Sequence, residues 1–275
     1  MKHRITTDRT IWATLASAAV VAAATGCGPT TTDAGAKDTK ATSPSPAKPK
    51  DAFDSLTGSQ ISSKALAALK SASSMRVSGT VPADDKTNQS MQVNVAMDTQ
   101  GSCRGSLTLP GTVSLELLRK GKGAFYIKGN EKFWRAMLTE LAKDGEGLTR
   151  KQANAAVDML KSRWVKADEK SAKDLTATNF CDMDKLQDLG GHSDVTRGAD
   201  VVVAGRPVAV IYDREDWRVT TVHVAKTGKP YPVQITTTDS SSAAPDTLVK
   251  FSEFNKPVDT TLPPADQIID ANNLG

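Results

Sequence analysis

The hydrophobic pattern of the chain changes period twice. Through its first folded third, apolar residues recur at every second position. Met91, Val93, Val95 and Met97, for example, alternate with Gln92, Asn94, Ala96 and Asp98. That period puts successive side chains on opposite faces of a β-strand. It predicts strands at Met75–Val81, Met91–Met97, Cys103–Leu109, Val113–Arg119 and Ala124–Lys128. The breaks between them are polar or contain Gly and Pro: Pro82–Asn88, Pro110-Gly111 and Gly121-Lys122-Gly123. Ahead of these strands Ile61, Ala65, Leu66, Ala68 and Leu69 fall at helical spacing, which predicts an amphipathic helix over Gly58–Ser73.

The middle of the chain turns helical in period. Phe133, Trp134, Met137, Leu138 and Leu141 form a wide stripe over Asn130–Lys143. Ala153, Ala156, Val157 and Leu160 form another over Thr149–Lys161, with Thr149 placed as its N-cap. Arg163–Lys166 reads as a short strand, and Ala172–Phe180 and Asp182–Leu189 as short helices ended by Gly190-Gly191. Then period two returns as a meander: Ala199–Val203, Val208–Tyr212, Trp217–Ala225 and Tyr231–Ile235. Gly205-Arg206-Pro207, the charged turn Asp213–Asp216 and Lys226–Pro230 separate these strands, Thr247–Phe254 adds a last one, and the tail from Pro257 is polar. Strands, helices and strands again, on hairpin-length connections, predict an α+β fold. Its core would be a single large curved antiparallel sheet of nine or ten strands, a half-barrel with helices covering the concave face. Two smaller domains divided near residue 145 are the alternative, but no linker-like stretch divides the halves.

The N-terminus follows a different logic. Lys2, Arg4 and Arg9 precede the apolar run Ile11–Ala24, which is too short to span a bilayer with ease and ends in small residues. Residues 1–26 therefore read as a signal peptide. Ala24-Thr25-Gly26-Cys27 is similar to the lipobox of bacterial lipoproteins, in which the cysteine is diacylated and becomes the new N-terminus; Ala24 stands where Leu is usual. Ordinary secretion with a free Cys27 is the other reading. Residues 27–52 hold Thr, Ser, Pro, Lys and Asp with no large apolar side chain, the composition of a solvated tether. The folded domain is then 53–275, on the extracytoplasmic face of the cell membrane.

The formal charge is +4 for the whole chain. Lys2, Arg4, Arg9 and Asp8 account for half of it, and the remaining basic residues are scattered, which excludes a nucleic-acid partner. A monomer is expected. Past Cys27 only Cys103 and Cys181 remain, and outside the cytoplasm such a pair is most simply a disulfide. A reactive thiol or half of a metal site are the other options. Metal binding lacks partners, because His192 and His223 stand far apart in sequence with no ligand spacing. No Gly-x-Ser-x-Gly elbow, phosphate loop or dinucleotide fingerprint is present, and the carboxylates of Asp182/Asp184 and Asp213/Glu215/Asp216 suit a helix start and a hairpin turn. Neither an enzyme nor a cofactor is expected.

Several pieces carry a family resemblance. They are the helix ending Ala65–Ser74 before Arg76-Val77-Ser78-Gly79-Thr80, Tyr126–Asn130 before Phe133-Trp134, and Arg163-Trp164-Val165. Gly205–Val208, Gly228–Val233 and Phe251–Phe254 complete the set. Together with the lipobox the chain resembles the actinobacterial, mycobacterial-like lipoproteins of the LppX/LprAFG type, whose fold is similar to LolA. The resemblance implies an apolar cavity between sheet and helices that takes the acyl chains of a lipid or lipoglycan and carries them across the envelope, with no catalytic residues. Candidate cavity-lining residues on the first strands are Val77, Met91, Val93, Val95, Leu115 and Leu117. From the middle helices, read as a lid, they are Trp134, Met137, Leu138, Val157 and Leu160; from the meander, Val208, Val210, Val219 and Val233. The alternative is a non-enzymatic envelope interaction or sensory module with a filled core. The lipobox generates a direct expectation. The full chain expressed in a bacterial host partitions into the detergent phase, and Cys27→Ser moves it to the aqueous phase; equal partitioning of both would reduce Cys27 to a free thiol.

Overall fold

The structure is a computed structural model and describes residues 53–82, 89–143, 149–168, 176–184, 195–215, 217–239 and 246–273. Helix α1 spans Gly58–Lys70 and opens with a capping box in which Thr57 and Gln60 bond each other's backbone N–H. Five strands follow: β1 (Ser74–Pro82), β2 (Ser90–Asp98), β3 (Cys103–Leu109), β4 (Val113–Arg119) and β5 (Phe125–Gly129). Helices α2 (Glu131–Lys143) and α3 (Arg150–Leu160) come next, α3 capped by Thr149 as the sequence predicts, with Gln152 completing a capping box. After them come β6 (Trp164–Ala167) and the short turn of helix Thr176–Cys181. The second half adds β7 (Thr196–Arg197), β8 (Val201–Val203), β9 (Arg206–Glu215), β10 (Arg218–Ala225), β11 (Pro232–Asp239), β12 (Thr247–Ser252) and β13 (Ile268–Asp270).

All thirteen strands join one open, curved sheet in the order β13-β6-β5-β4-β3-β2-β1-β12-β11-β10-β9-β7, with β8 also on β9. The two halves of the chain meet where β1 pairs antiparallel with β12, Val77 opposite Phe251 and Gly79 opposite Val249. The α+β curved sheet read from the sequence is therefore present, with corrections. It is mixed, because β13 lies parallel to β6 at one edge. That strand occupies three residues of a tail whose Pro263-Pro264 and polar composition hide it. The charged stretch Asp213–Glu215 is strand, not turn: β9 runs through it and pairs Glu215 with Arg218. The strand read at Ala199–Val203 is β8 at Val201–Val203, and β7 at Thr196–Arg197 is a further strand that the sequence reading did not include. The short helices read at Ala172–Phe180 and Asp182–Leu189 fall in part outside the described residues.

Registers across the sheet align one face into rows. One row reads Ile269, Val165, Ile127, Leu117, Gly105, Val95, Val77 and Phe251 across β13 to β12. The positions between them on β1 to β4 are Arg76, Ser78, Asn94, Ala96, Arg104, Ser106, Glu116 and Leu118, so the opposite face is mainly polar. This alternation fixes which face carries the helices. Helix α1 packs over the β9 end with Ile61 and Ala65 against Ala209, Ile211 and Val224. Helices α2 and α3 pack together over the β4–β6 end, where Trp134, Val157, Leu160 and Val165 form their own cluster.

Past β12 the chain leaves through a corner with positive φ at Glu253 and Asn255, then travels to β13 at the far edge. This strap crosses the polar face, over a groove lined by Arg76, Asn94, Arg104, Glu116 and Asp259. Three ion pairs hold it: Arg76–Glu253 at 2.6 Å, Arg104–Asp259 at 3.0 Å and Lys166–Asp270 at 2.8 Å. Each carboxylate sits below its ordinary pKa. For Glu253 the cause is the hydrogen bond and charge of Arg76; for Asp259 the N–H and hydroxyl of Thr261, with Arg104 adding to them; for Asp270 the bond from Lys166, then the N–H of Asn272. A lowered folded-state pKa means stability that is present above the ordinary carboxylate value, about pH 4, and is lost as pH falls through the lowered ones. Arg76–Glu253 and Arg104–Asp259 are exposed and Lys166–Asp270 is part-buried, and such pairs are individually weak. Hydrogen-exchange protection in 253–270, taken relative to the intrinsic rate at each pH, should therefore fall below about pH 4 before protection in β1–β4 does, and 0.5 M salt near neutral pH should act in the same direction. Uniform exchange across strap and sheet would show the pairs to be idle.

Candidate ligand cavity

Between α1 and the sheet lies a cavity of about 560 Å³. Its floor is the same face of six strands. Across them the registers set Val93, Gly79, Val249, Ile235, Val222 and Ile211 side by side in one row. Val77 and Phe251 stand one row deeper, and Met91, Val81 and Thr247 one row further out. Ser62, Ala65, Leu66 and Leu69 of α1 form the roof. They recur three and four apart, so they share one helix face. Two of these four are small, and the buried residues of α1 are Gly58, Ile61, Ala65, Ala68 and Leu69. A helix presenting alanine and serine leaves space that leucine would fill.

One end of the cavity is closed and the other open. Val77, Phe251, Pro232, Leu69 and Ile211 are buried. Pro82 is exposed, and Val81, Asp213, Thr220, Thr237 and Thr247 are half-buried. Phe180 helps close the inner end. Its position follows from the bond between Cys103 and Cys181, whose Cα atoms are 5.4 Å apart. This disulfide, expected from the sequence, ties the turn of helix carrying Phe180 to β3. Its 78-residue separation gives roughly 4 kcal/mol of loop-closure stabilisation in the chain-entropy treatment.

The structure divides the candidate residues into groups. Val77, Met91 and Val93 line this cavity. Val95, Leu115 and Leu117 belong to the filled core beside it, with Met97, Leu107 and Ile127. Trp134, Met137, Leu138, Val157 and Leu160 lie with α2 and α3 over the other end of the sheet, so the roof of this cavity is α1. Val208 and Val210 are buried but alternate with Ile211 and Asp213, which places them on the opposite face of β9. Val219 likewise alternates with Thr220 and Val222 on β10. Val233 is the extra residue of a β-bulge, since His223 pairs with Gln234 and Val224 with Pro232. Lining residues that sequence reasoning did not single out are Leu66, Phe180, Ile211, Val222, Ile235 and Val249. Their alternation was legible; which strands neighbour which was not.

Other chemistry is sparse. Among the described residues no three His, Cys, Asp or Glu side chains stand together as a metal site would require. His223 is half-buried on the face away from the cavity, its Nδ1 has no hydrogen-bond partner among the described residues, and burial lowers its pKa. No helix among the described residues is long and apolar enough to cross a membrane.

The site thus defines a class: an open, curved sheet roofed by a helix, enclosing an apolar cavity with one mouth. No family model matches the sequence, and no curated protein matches it. Solved structures of similar shape exist. LprF from Mycobacterium bovis is 16% identical, with a TM-score of 0.49 over 75% of this chain and 96% of that one. The lipoprotein LppX from Mycobacterium tuberculosis is 15% identical, with a TM-score of 0.42 over 74% and 98%. A LolA superfamily protein from Nitrosomonas europaea is 10% identical, with a TM-score of 0.26 over 76% and 96%. LprF, LppX and the LolA superfamily protein are of the LppX/LprAFG and LolA types named in the resemblance read from the sequence.

Gly79 sits in the middle of the cavity floor at φ +147°, and a Cβ there would come within 1.9 Å of the Leu248 carbonyl oxygen. No side-chain rotation relieves a clash with backbone. Gly79→Ala should therefore cost about 3 kcal/mol or more in urea unfolding. A loss below about 1 kcal/mol would mean that β1 and β12 do not approach so closely.

Proposed function

We propose that this protein is a membrane-tethered, extracytoplasmic lipoprotein that binds the acyl chain of a lipid or lipoglycan in the cavity beneath α1 and performs no catalysis. Cys27 carries the anchor, and residues 27–52 are the tether that holds the domain of residues 53–275 away from the bilayer. The observation that supports the reading most is the cavity itself: about 560 Å³, apolar in its depth, closed at one end and open at the other. That size is within the range of small-molecule sites, roughly 300–1,000 Å³. A methylene takes about the room of a liquid water, about 30 Å³, so the cavity accepts roughly 18 of them. One acyl chain of ordinary length fits; several do not. An interaction module with a filled core has no need of such a space.

Each buried methylene adds about 0.8 kcal/mol. A series of straight-chain alcohols should therefore bind the delipidated chain more tightly with each added carbon, up to roughly 18 carbons, and level off beyond, as read by displacement of a fluorescent fatty alcohol. Native mass spectrometry after gentle extraction should show one copurified acyl-bearing molecule. Affinity independent of chain length, together with no copurified lipid, would sink the carrier reading in favour of a surface interaction module.

A further inference from the structure

The groove beneath the strap has the size of a ligand site. It holds about 550 Å³ on the face of the sheet opposite the apolar cavity. Small-molecule sites run to roughly 300–1,000 Å³. Two rows of the sheet form its floor. Asn94, Ser106 and Glu116 stand side by side across β2, β3 and β4. Two residues along the strands, about 7 Å away, Arg76, Ala96 and Arg104 stand across β1, β2 and β3. The small Ala96 leaves a gap between the two arginines. The strap holds both of them: Arg76 donates to Glu253 and to the Asn94 side-chain oxygen, and Arg104 donates to Asp259. With that oxygen engaged, the Asn94 NH₂ group is left to donate. Ser106 and Glu116 are exposed and have no hydrogen-bond or ion-pair partner among the described residues. Trp164 lines the β6 end.

We infer that this groove is a second binding site and that its ligand is a neutral carbohydrate, part of a polysaccharide and not of the molecule in the apolar cavity. The inference goes beyond the acyl-binding reading and does not depend on it. The charged residues of the lining are three cations, Arg76, Arg104 and Lys256, and three carboxylates, Glu116, Glu253 and Asp259. An ionic ligand therefore meets its own sign beside its opposite, whereas a hydroxyl both donates and accepts and needs neither. The row of Asn94, Ser106 and Glu116 offers an amide that donates, a hydroxyl that does both and a carboxylate that accepts. Strand spacing sets these groups about 4.8 Å apart, a separation that one sugar ring spans. The strap carboxylates fix the two guanidinium groups before a ligand arrives, which lowers the ordering cost of binding. An extended peptide has nothing to join here: β1–β4 lie inside the sheet and pair on both sides, so no strand edge is open. The two sites lie on opposite faces of one sheet, so the sugar is not the head of the molecule in the cavity.

The test screens the full chain on an array of oligosaccharides that carry no acyl chain: neutral hexose and pentose members, uronic acid and sulfated members, and amino-sugar members with free amines. A neutral member should be retained. Titration calorimetry of that oligosaccharide in solution should give the same affinity with and without hexadecanol. Glu116→Ala and Ser106→Ala should each weaken it about tenfold, with urea midpoints unchanged, because neither side chain holds the fold. Thr108→Ala, exposed on the same face of β3 but outside the groove, should leave the affinity as it was. Loss in either groove variant, with the Thr108→Ala control intact, assigns the sugar to this groove. The inference is overturned if no member binds, if only charged members bind, or if both groove variants keep the parent affinity. Binding that hexadecanol abolishes, or that requires an attached acyl chain, overturns it as well and assigns the sugar to the ligand of the cavity. Failure of hexadecanol itself to bind bears on the acyl-binding reading alone.

Discussion

Everything in the fold depends on the pairing of β1 with β12. Without it the chain holds two separate sheets, β1–β6 with β13 and β7–β12, each open at an edge. The pairing is close because Gly79 has no side chain where the Leu248 backbone passes. It brings Val77 beside Phe251 and Gly79 beside Val249, and so completes rows that run unbroken from one half to the other. The cavity floor consists of those completed rows. Contacts this distant in sequence form only when most of the chain has been placed, so the site is a product of the finished topology and not of any one hairpin.

The two ends of the concave face show how the same scaffold is either filled or left open. Over β4–β6, two helices bring Phe133, Trp134, Val157 and Leu160 against the sheet, and Phe133 lies directly on Gly129. Large side chains meet a strand position with none, and the space closes. Over β9–β12 a single helix among the described residues presents Ala65, Ser62 and Leu66 to valines, isoleucines and threonines. Fewer and smaller groups span the same gap between layers. Helix α1 is held mainly at its start, where Arg197 donates to the carbonyls of Phe53 and Leu56 and Ile61 is fully buried. The inner end of the cavity is held covalently instead, by the disulfide beside Phe180.

Much of this was legible in the chain. Alternation at Met91–Met97 gave a strand whose inner face is indeed Met91, Val93, Val95 and Met97, and Thr149 marked the start of α3. What escaped was long-range. Both helical stripes are amphipathic, so periodicity alone could not say that α1, and not α2 with α3, covers the open space. The parity of Val208, Val210 and Val219 depends on which of two alternating sets faces inward, and β9 is buried on both faces, so hydrophobicity does not choose. Val233 falls out of register through a bulge that Pro232 permits but does not announce. Asp213 looked like a turn residue because charge in a strand is unusual; its place at the end of a threonine row exists only once β9, β10, β11 and β12 are paired.

Size decides how the cavity should be understood. A dry void costs about 24 cal/mol per Å³ in protein cores, so one of about 560 Å³ would cost on the order of 13 kcal/mol. The entire stability of a domain is about 5–15 kcal/mol. A void of that size therefore cannot persist as a packing defect in a folded chain. The space must be occupied, by water entering at the threonine row or by an apolar chain lying along the valines. Water would gain few hydrogen bonds in the depth of the cavity, where Val77, Phe251 and Leu69 line the wall. A chain of methylenes, as proposed above, would suit that depth, where the lining is apolar. The division of the wall into apolar rows and one polar row is thus what makes the open space compatible with a stable fold.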